Sequence, residues 1–134
     1  GLRVSECATL DWSDVDEEAR RMFVRGKGQK ERPVALSPVL LDYLLPRTGG
    51  NVVTAGGAPY SPATLQRKVN RLFERRGMER RFHDLRKRGA SIALSKGASP
   101  AAVRIMFGWS SMETVSHYAV VGDSELDRIA EMLT

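Results

Sequence analysis

Three serine-proline pairs, Ser37-Pro38, Ser61-Pro62 and Ser99-Pro100, constrain this chain more than any other feature. A serine hydroxyl accepts from the open N–H groups at the start of a helix, and proline fits the first helical position because its missing N–H has no partner there anyway. The same proline in a helix interior would break it, so each pair marks a beginning. Gly77, Gly97 and Gly108 supply the matching stops, since glycine adopts the left-handed conformation with which many helices end. The punctuation predicts helices from Pro38 to Leu45, from Pro62 to near Gly77, from Phe82 to Lys96 with Gly97 after it, and from Pro100 to Gly108. Such a chain packs as several short helices. Its longest apolar runs are only a few residues, as in Val39-Leu40-Leu41, whereas a membrane-spanning helix needs about 20.

The remaining stretches carry other periods. Leu2, Glu6 and Leu10 lie at helical spacing, so residues 1–10 read as the end of a helix. Trp12–Val15, Arg21–Arg25 and Arg32–Leu36 are rich in strand formers, and the last two flank Gly26-Lys27-Gly28-Gln29-Lys30, which predicts a small antiparallel hairpin or three-stranded sheet. Residues 47–60, with four glycines, read as a loop. Ser110 to Glu113 has capping-box spacing and opens a helix expected to carry Tyr118. Leu126, Ile129, Ala130 and Leu133 stripe a last amphipathic helix over 123–133. The expected fold class is α+β, mainly α-helical with a small antiparallel β-sheet. At 134 residues the chain has room for one domain with a core, and because it opens on Gly1 inside a patterned segment it reads as cut from something longer.

Charge is distributed unevenly. Lys and Arg number 21 against 16 Asp and Glu, yet residues 62–88 alone hold ten basic side chains against three acidic ones. Arg67, Lys68, Arg71, Arg75, Arg76, Arg80, Arg81, Lys87 and Arg88 form the expected DNA-binding set within that stretch, because clustered cations release counterions when they neutralise phosphates. A solvated helix face is the plainer alternative. Residues 109–134 reverse the balance, with five acidic side chains and one arginine, and suit a protein contact. The single cysteine, Cys7, excludes an intrachain disulfide and any cysteine-based metal site, which fits a cytoplasmic protein.

Six further residues are candidates for chemistry: Arg3, Lys27, His83, Arg86, Trp109 and Tyr118. Singly each has an ordinary explanation, as a surface charge, a turn lysine, an incidental helix pair or a packed aromatic. Together they supply what phosphodiester transfer requires. Two guanidiniums can hold nonbridging oxygens, an ammonium can serve the leaving oxygen, and an imidazole, an indole N–H and a phenol complete the set.

The motifs Gly1-Leu-Arg-Val-Ser-Glu6, Gly26-Lys-Gly-Gln-Lys-Glu-Arg32, His83-Asp-Leu-Arg86 and Gly108-Trp-Ser-Ser111 followed by Tyr118 closely resemble, in order and spacing, the catalytic domain of the tyrosine recombinase or phage integrase family. The resemblance covers nearly the whole chain. It implies that Arg3 and Arg86 clamp a scissile phosphate, that Tyr118 attacks it to form a 3′-phosphotyrosyl link, and that Lys27 protonates the departing 5′ oxygen. His83 would assist proton transfer or hydrogen-bond the phosphate, and Trp109 would donate to a nonbridging oxygen. It further implies double-stranded DNA and other recombinase protomers as partners, a tetramer on DNA for the parent protein, no membrane, and no cofactor or metal, the arginines doing a metal's work. Trp109 stands where the family commonly has histidine, as in its Cre-like branch, and Lys87-Arg88 stand where His-Thr is usual. On this reading residues 1–134 are a single, N-terminally truncated catalytic domain without the upstream core-binding domain. A non-catalytic DNA-binding fragment and a protein-interaction fragment are the rival readings.

Overall fold

The computed structural model describes residues 1–26, 28, 30–44, 49–118 and 123–133, with backbone only for 123–126. Helix α1 (Val4–Thr9) leads through a 3-10 turn at Trp12–Asp14 into strands β1 (Val15–Asp16), β2 (Arg21–Arg25) and β3 (Glu31–Ala35), then α2 (Pro38–Leu44), β4 (Thr54–Ala55) and β5 (Ala58–Pro59). Helices α3 (Pro62–Arg75), α4 (Phe82–Ser95), α5 (Pro100–Phe107), α6 (Met112–Ser116) and α7 (Asp123–Met132) follow. The architecture is α+β, mainly helical with small antiparallel sheets. No helix among the described residues is long and apolar enough to cross a membrane.

The helix starts form as the punctuation requires. The Ser61 and Ser99 hydroxyls accept from the N–H groups of Thr64 and Ala102, each at 3.2 Å. Helix α4 begins without a hydroxyl cap, and there the Asp84 carboxylate reaches back to accept from the Arg81 N–H at 2.8 Å. Gly77, Gly97 and Gly108 all adopt positive φ at helix ends.

Strands β1, β2 and β3 pair antiparallel in that order, with Met22 opposite Val34 and Val24 opposite Arg32. Strict alternation buries Met22 and Val24 from one strand, and Arg32 and Val34 from the other. A guanidinium therefore occupies a core-facing position.

Several expectations change. Trp12–Val15 is not a strand, because the Asp11 carboxylate accepts from the Ser13 N–H and winds Trp12–Asp14 into a 3-10 turn, leaving only Val15–Asp16 extended. Residues 1–10 are not the tail of a helix but contain a short one that starts after Arg3, whose backbone is extended. The stretch 47–60 is not all loop: Gly56 and Gly57, both at positive φ, turn β4 back on β5, and Asn51 bridges to Asp11. Helix α6 starts after Ser111 and ends at Ser116, so Tyr118 sits in the turn beyond it. The Ser110 hydroxyl does not cap α6. On α3, Leu65 is buried while Leu72 is exposed. Lys27 and Leu45 lie outside the described residues.

Two small cores result. Leu10, Trp12, Val15, Met22, Val24, Val34 and Leu36 pack between the sheet and α2, while Ala90, Val103, Phe107 and Val115 pack among α4, α5 and α6. Met106 of α5 touches both. The last turn of α5 is thus the joint between them. Phe107→Ala is expected to cost about 3–5 kcal/mol in denaturant-monitored stability, since the side chain is buried in the smaller core. Phe23→Ala, on the exposed face of β2, should change stability by about 0.5 kcal/mol at most.

Candidate active site

The candidate site is built on the C-terminal end of α5. A helix leaves its last carbonyls without intrahelical partners, and that end carries partial negative charge. Arginines from three separate parts of the chain close three successive carbonyls. Arg32 of β3 donates through Nε to the Met106 oxygen at 3.0 Å, Arg86 of α4 donates through Nη2 to the Phe107 oxygen, and Arg3 donates through Nη2 to the Gly108 oxygen at 2.9 Å. Gly108 is required twice over. Its φ of 66° disfavours any side chain, and a Cβ there would lie 2.8 Å from Nη1 of Arg32.

Glu6 organises two of these arginines. Its Oε1 accepts from Arg32 Nη1 at 2.7 Å and from Arg3 Nη1 at 3.1 Å, while its Oε2 accepts from Arg32 Nη2 at 2.9 Å and from the Arg3 backbone N–H at 2.7 Å. Four donors fill a carboxylate's acceptor capacity. Burial by itself pushes Glu6 upward, but the hydrogen bonds and charge of Arg32 and Arg3 outweigh it and hold the group at about 2.

Arg86 is buried, and its guanidinium lies 5.6 Å from the Phe107 ring centre and 5.4 Å from that of Trp109. It also donates to the Gly1 carbonyl at 2.5 Å. Burial, and then the charges of Arg3 and Arg32, lower it to about 10, with Glu6 and Tyr118 pulling the other way, so it stays charged at neutral pH. Trp109 in turn stacks on Tyr118, ring centres 5.4 Å apart and planes 20° from parallel. A chain of contacts therefore runs from Arg3 through Gly108 and Phe107 to Arg86, Trp109 and Tyr118.

Four of the six expected residues, Arg3, Arg86, Trp109 and Tyr118, come together from positions up to 115 residues apart. His83 lies one turn before Arg86 on α4 and is exposed, and no hydrogen bond or ion pair among the described residues holds its ring. Beside this assembly a cleft of about 680 Å³ opens, lined by Arg3, Lys30, Arg32, Arg104, Trp109 and Thr114 among others. Arg67, Lys68, Arg71, Arg75, Arg76, Arg80, Arg81, Lys87 and Arg88 are all exposed. Among the described residues no cluster of three or more His, Cys, Asp or Glu could hold a metal ion.

Sequence reasoning passed over Arg32 and Glu6, although both carried a signal. Arg32 shares the parity of Val34 and Leu36, the core-facing positions of β3, and Glu6 falls between Leu2 and Leu10 on the apolar stripe around α1.

The model of the phage integrase family matches residues 1–125. The chain belongs to that family. It is 28% identical over 94% of its length to the tyrosine recombinase XerC of Listeria welshimeri, of which it covers 47%. Among solved integrase-fold structures, it superposes on the XerA recombinase with a TM-score of 0.75 at 24% identity, covering 97% of this chain and 52% of that one. It superposes on the Tn1549 transposon integrase, solved with a circular intermediate DNA, with a TM-score of 0.76 at 16% identity, covering 99% of this chain and 55% of that one. This integrase-family chain thus spans about half the length of the curated relatives it matches.

The depressed Glu6 predicts a pH dependence. Its carboxyl sits near 2 in the folded chain against an ordinary value of about 4.5, so the unfolded state binds the extra proton first. The stabilisation is complete above about pH 4.5 and drains away as pH falls toward 2. Acid titrations of stability should show this limb, and Glu6→Gln should flatten it.

Proposed function

We propose that this chain is the catalytic part of a site-specific DNA recombinase that cuts and rejoins strands through a 3′-phosphotyrosyl intermediate. The observation that supports this most is the meeting of the Arg3 and Arg86 guanidiniums on adjacent carbonyls of one helix end, with the Tyr118 ring stacked on the Trp109 ring that Arg86 also faces. Two fixed cations beside a phenol suit attack on a phosphodiester, where negative charge grows on the nonbridging oxygens.

In the proposed reaction the Tyr118 oxygen attacks phosphorus, the bond to the 5′ oxygen breaks, and a 3′-phosphotyrosyl diester remains. The phenolic proton leaves toward His83, and the ammonium of Lys27 gives a proton to the departing 5′ oxygen. Arg3 and Arg86 hold the nonbridging oxygens, and the indole N–H of Trp109 donates to one of them. Attack of a 5′ hydroxyl on the diester reverses these steps and frees the tyrosine. The nine exposed basic residues from Arg67 to Arg88 carry the DNA backbone. Residues 1–134 act as one catalytic domain of a longer cytoplasmic protein, with an upstream core-binding domain closing on the far side of the duplex and further protomers, four in all, completing the assembly.

Covalent capture tests the chemistry. DNA trapped on the full-length protein by denaturation defines the cleaved sequence, and a nicked duplex of that sequence should then accumulate a 3′-linked adduct without divalent metal. Tyr118→Phe, which keeps the ring and its stacking, should abolish the adduct while folding and DNA binding persist. Arg3→Ala and Arg86→Ala should each slow its formation by about 10²-fold or more. An adduct that survives Tyr118→Phe rules the mechanism out.

Binding is tested apart from cleavage. The isolated chain should bind duplex DNA weakly, on the order of micromolar or worse, with affinity falling steeply as salt rises. Reversing the charges of Arg75, Arg76 and Arg80 should weaken binding and flatten the salt slope, and an unchanged slope would place the DNA surface elsewhere.

A further inference from the structure

Of the three arginines at the end of α5, Arg32 is the one that the proposed chemistry leaves without a part. Its side chain is 10% exposed, and three of its five N–H groups are already engaged, two by Glu6 and one by the Met106 carbonyl. Arg3, by contrast, has a side chain 42% exposed and shares Oε1 of Glu6 with Arg32.

We propose that Arg32 is a positioning residue for Arg3, acting through the Glu6 carboxylate on one side and through the Met106–Gly108 carbonyl row on the other. The inference rests on the reading of Arg3 as a phosphate-binding group. Three observations carry it. The bidentate pair with Arg32 fixes both oxygens of Glu6, so the direction in which Oε1 faces Arg3 is set by a strand 26 residues away and not by the flexible Arg3 side chain itself. The Nε bond to Met106 anchors the helix end whose Gly108 oxygen is the second acceptor for Arg3. Gly108 also leaves only enough room for the Arg32 guanidinium, since a Cβ there would approach its Cζ to 2.9 Å. Both acceptors that orient the Arg3 guanidinium are therefore held by Arg32. Lysine cannot replace it, because a single ammonium cannot engage two carboxylate oxygens and a carbonyl in this fork geometry.

A change of substrate separates positioning from mere support. A methylphosphonate at the scissile position replaces a charged nonbridging oxygen with a methyl group, so less negative charge develops there and an oriented Arg3 matters less. In the full-length protein, Arg32→Lys is expected to slow adduct formation on the ordinary phosphodiester by about 10- to 10³-fold, with DNA affinity within a few-fold of the parent. On the methylphosphonate the same variant should come within a few-fold of the parent rate. Equal defects on the two substrates, or none on the phosphodiester, would overturn the proposal. Should Arg32→Lys fold poorly, which its thermal melt reports, Arg32→Gln is compared on the two substrates in the same way. Adding Glu6→Gln to either variant gives a second reading: the double variant should be no slower than the worse single one, and multiplying defects count against the idea. If the parent protein forms no adduct on either substrate, it is the recombinase reading that fails, and the role of Arg32 falls with it.

Discussion

Three carbonyls at the end of α5 have no partners within their own helix, and three arginines brought from α1's leading edge, β3 and α4 complete them. This row of contacts ties the sheet half of the molecule to the helical half. Met106 beneath it packs into both cores, so the polar seam and the apolar joint coincide. Without the carbonyl row, a guanidinium on the inward face of β3 would be a buried charge with only Glu6 to balance it, an arrangement whose desolvation cost is of order several kcal/mol per ion. The helix end, with its partial negative charge, supplies the rest of the compensation.

The seam has an unequal balance of charge. Three arginines, Arg3, Arg32 and Arg86, stand against one carboxylate, and that carboxylate already receives four donors from Arg3 and Arg32. Carbonyl dipoles satisfy hydrogen bonds without cancelling net charge, which leaves a positive potential where Arg3 reaches the surface. In the proposed reaction an incoming phosphate diester is the anion that completes the set, and it would do so most strongly when its charge is greatest. Glu6 at about 2 and Arg86 at about 10 are two expressions of the same crowding, one anion held ionised by its cations and one cation made less basic by burial among cations.

Much of the fold was legible in the residues themselves. Ser61-Pro62, Ser99-Pro100, Gly77, Gly97 and Gly108 set helix limits through local backbone chemistry that needs no tertiary partner; α3 and α5 begin and end, and α4 ends, where those residues place them. The strand character of Arg21–Arg25 and Arg32–Leu36, rich in strand formers, was equally visible, whereas the burial of Met22 and Val24 but not Phe23 was not, because all three are apolar. The misses share a cause. Trp12–Asp14 wound into a 3-10 turn on one Asp11 hydrogen bond, and β4 and β5 are two residues long each, too short for any pattern to register before the chain is folded. Family membership and the identities of Arg3, Lys27, His83, Arg86, Trp109 and Tyr118 as candidates also came from motif order and spacing, because chemistry of this kind limits which residue types stand in which sequence.

Which candidates meet was a different matter. Arg3 and Arg86 are separated by 83 positions, and only the packing of α4 and α1 against the end of α5 sets their guanidiniums on neighbouring carbonyls. Tyr118 was assigned to a helix from local spacing, yet α6 ends at Ser116, and it is the stack on Trp109 that holds the ring. Arg32 and Glu6 show the division most clearly. Alternation and helical spacing marked both as inward-facing, which is a property of a single strand or helix and so belongs to the sequence. That the two inward charges face each other, and share Arg3 and one helix end between them, depends on how β3, α1 and α5 pack. Local hydrogen-bonding and periodicity act over a few residues and can be read along the chain, whereas the compensation of buried charge is settled only where distant segments meet.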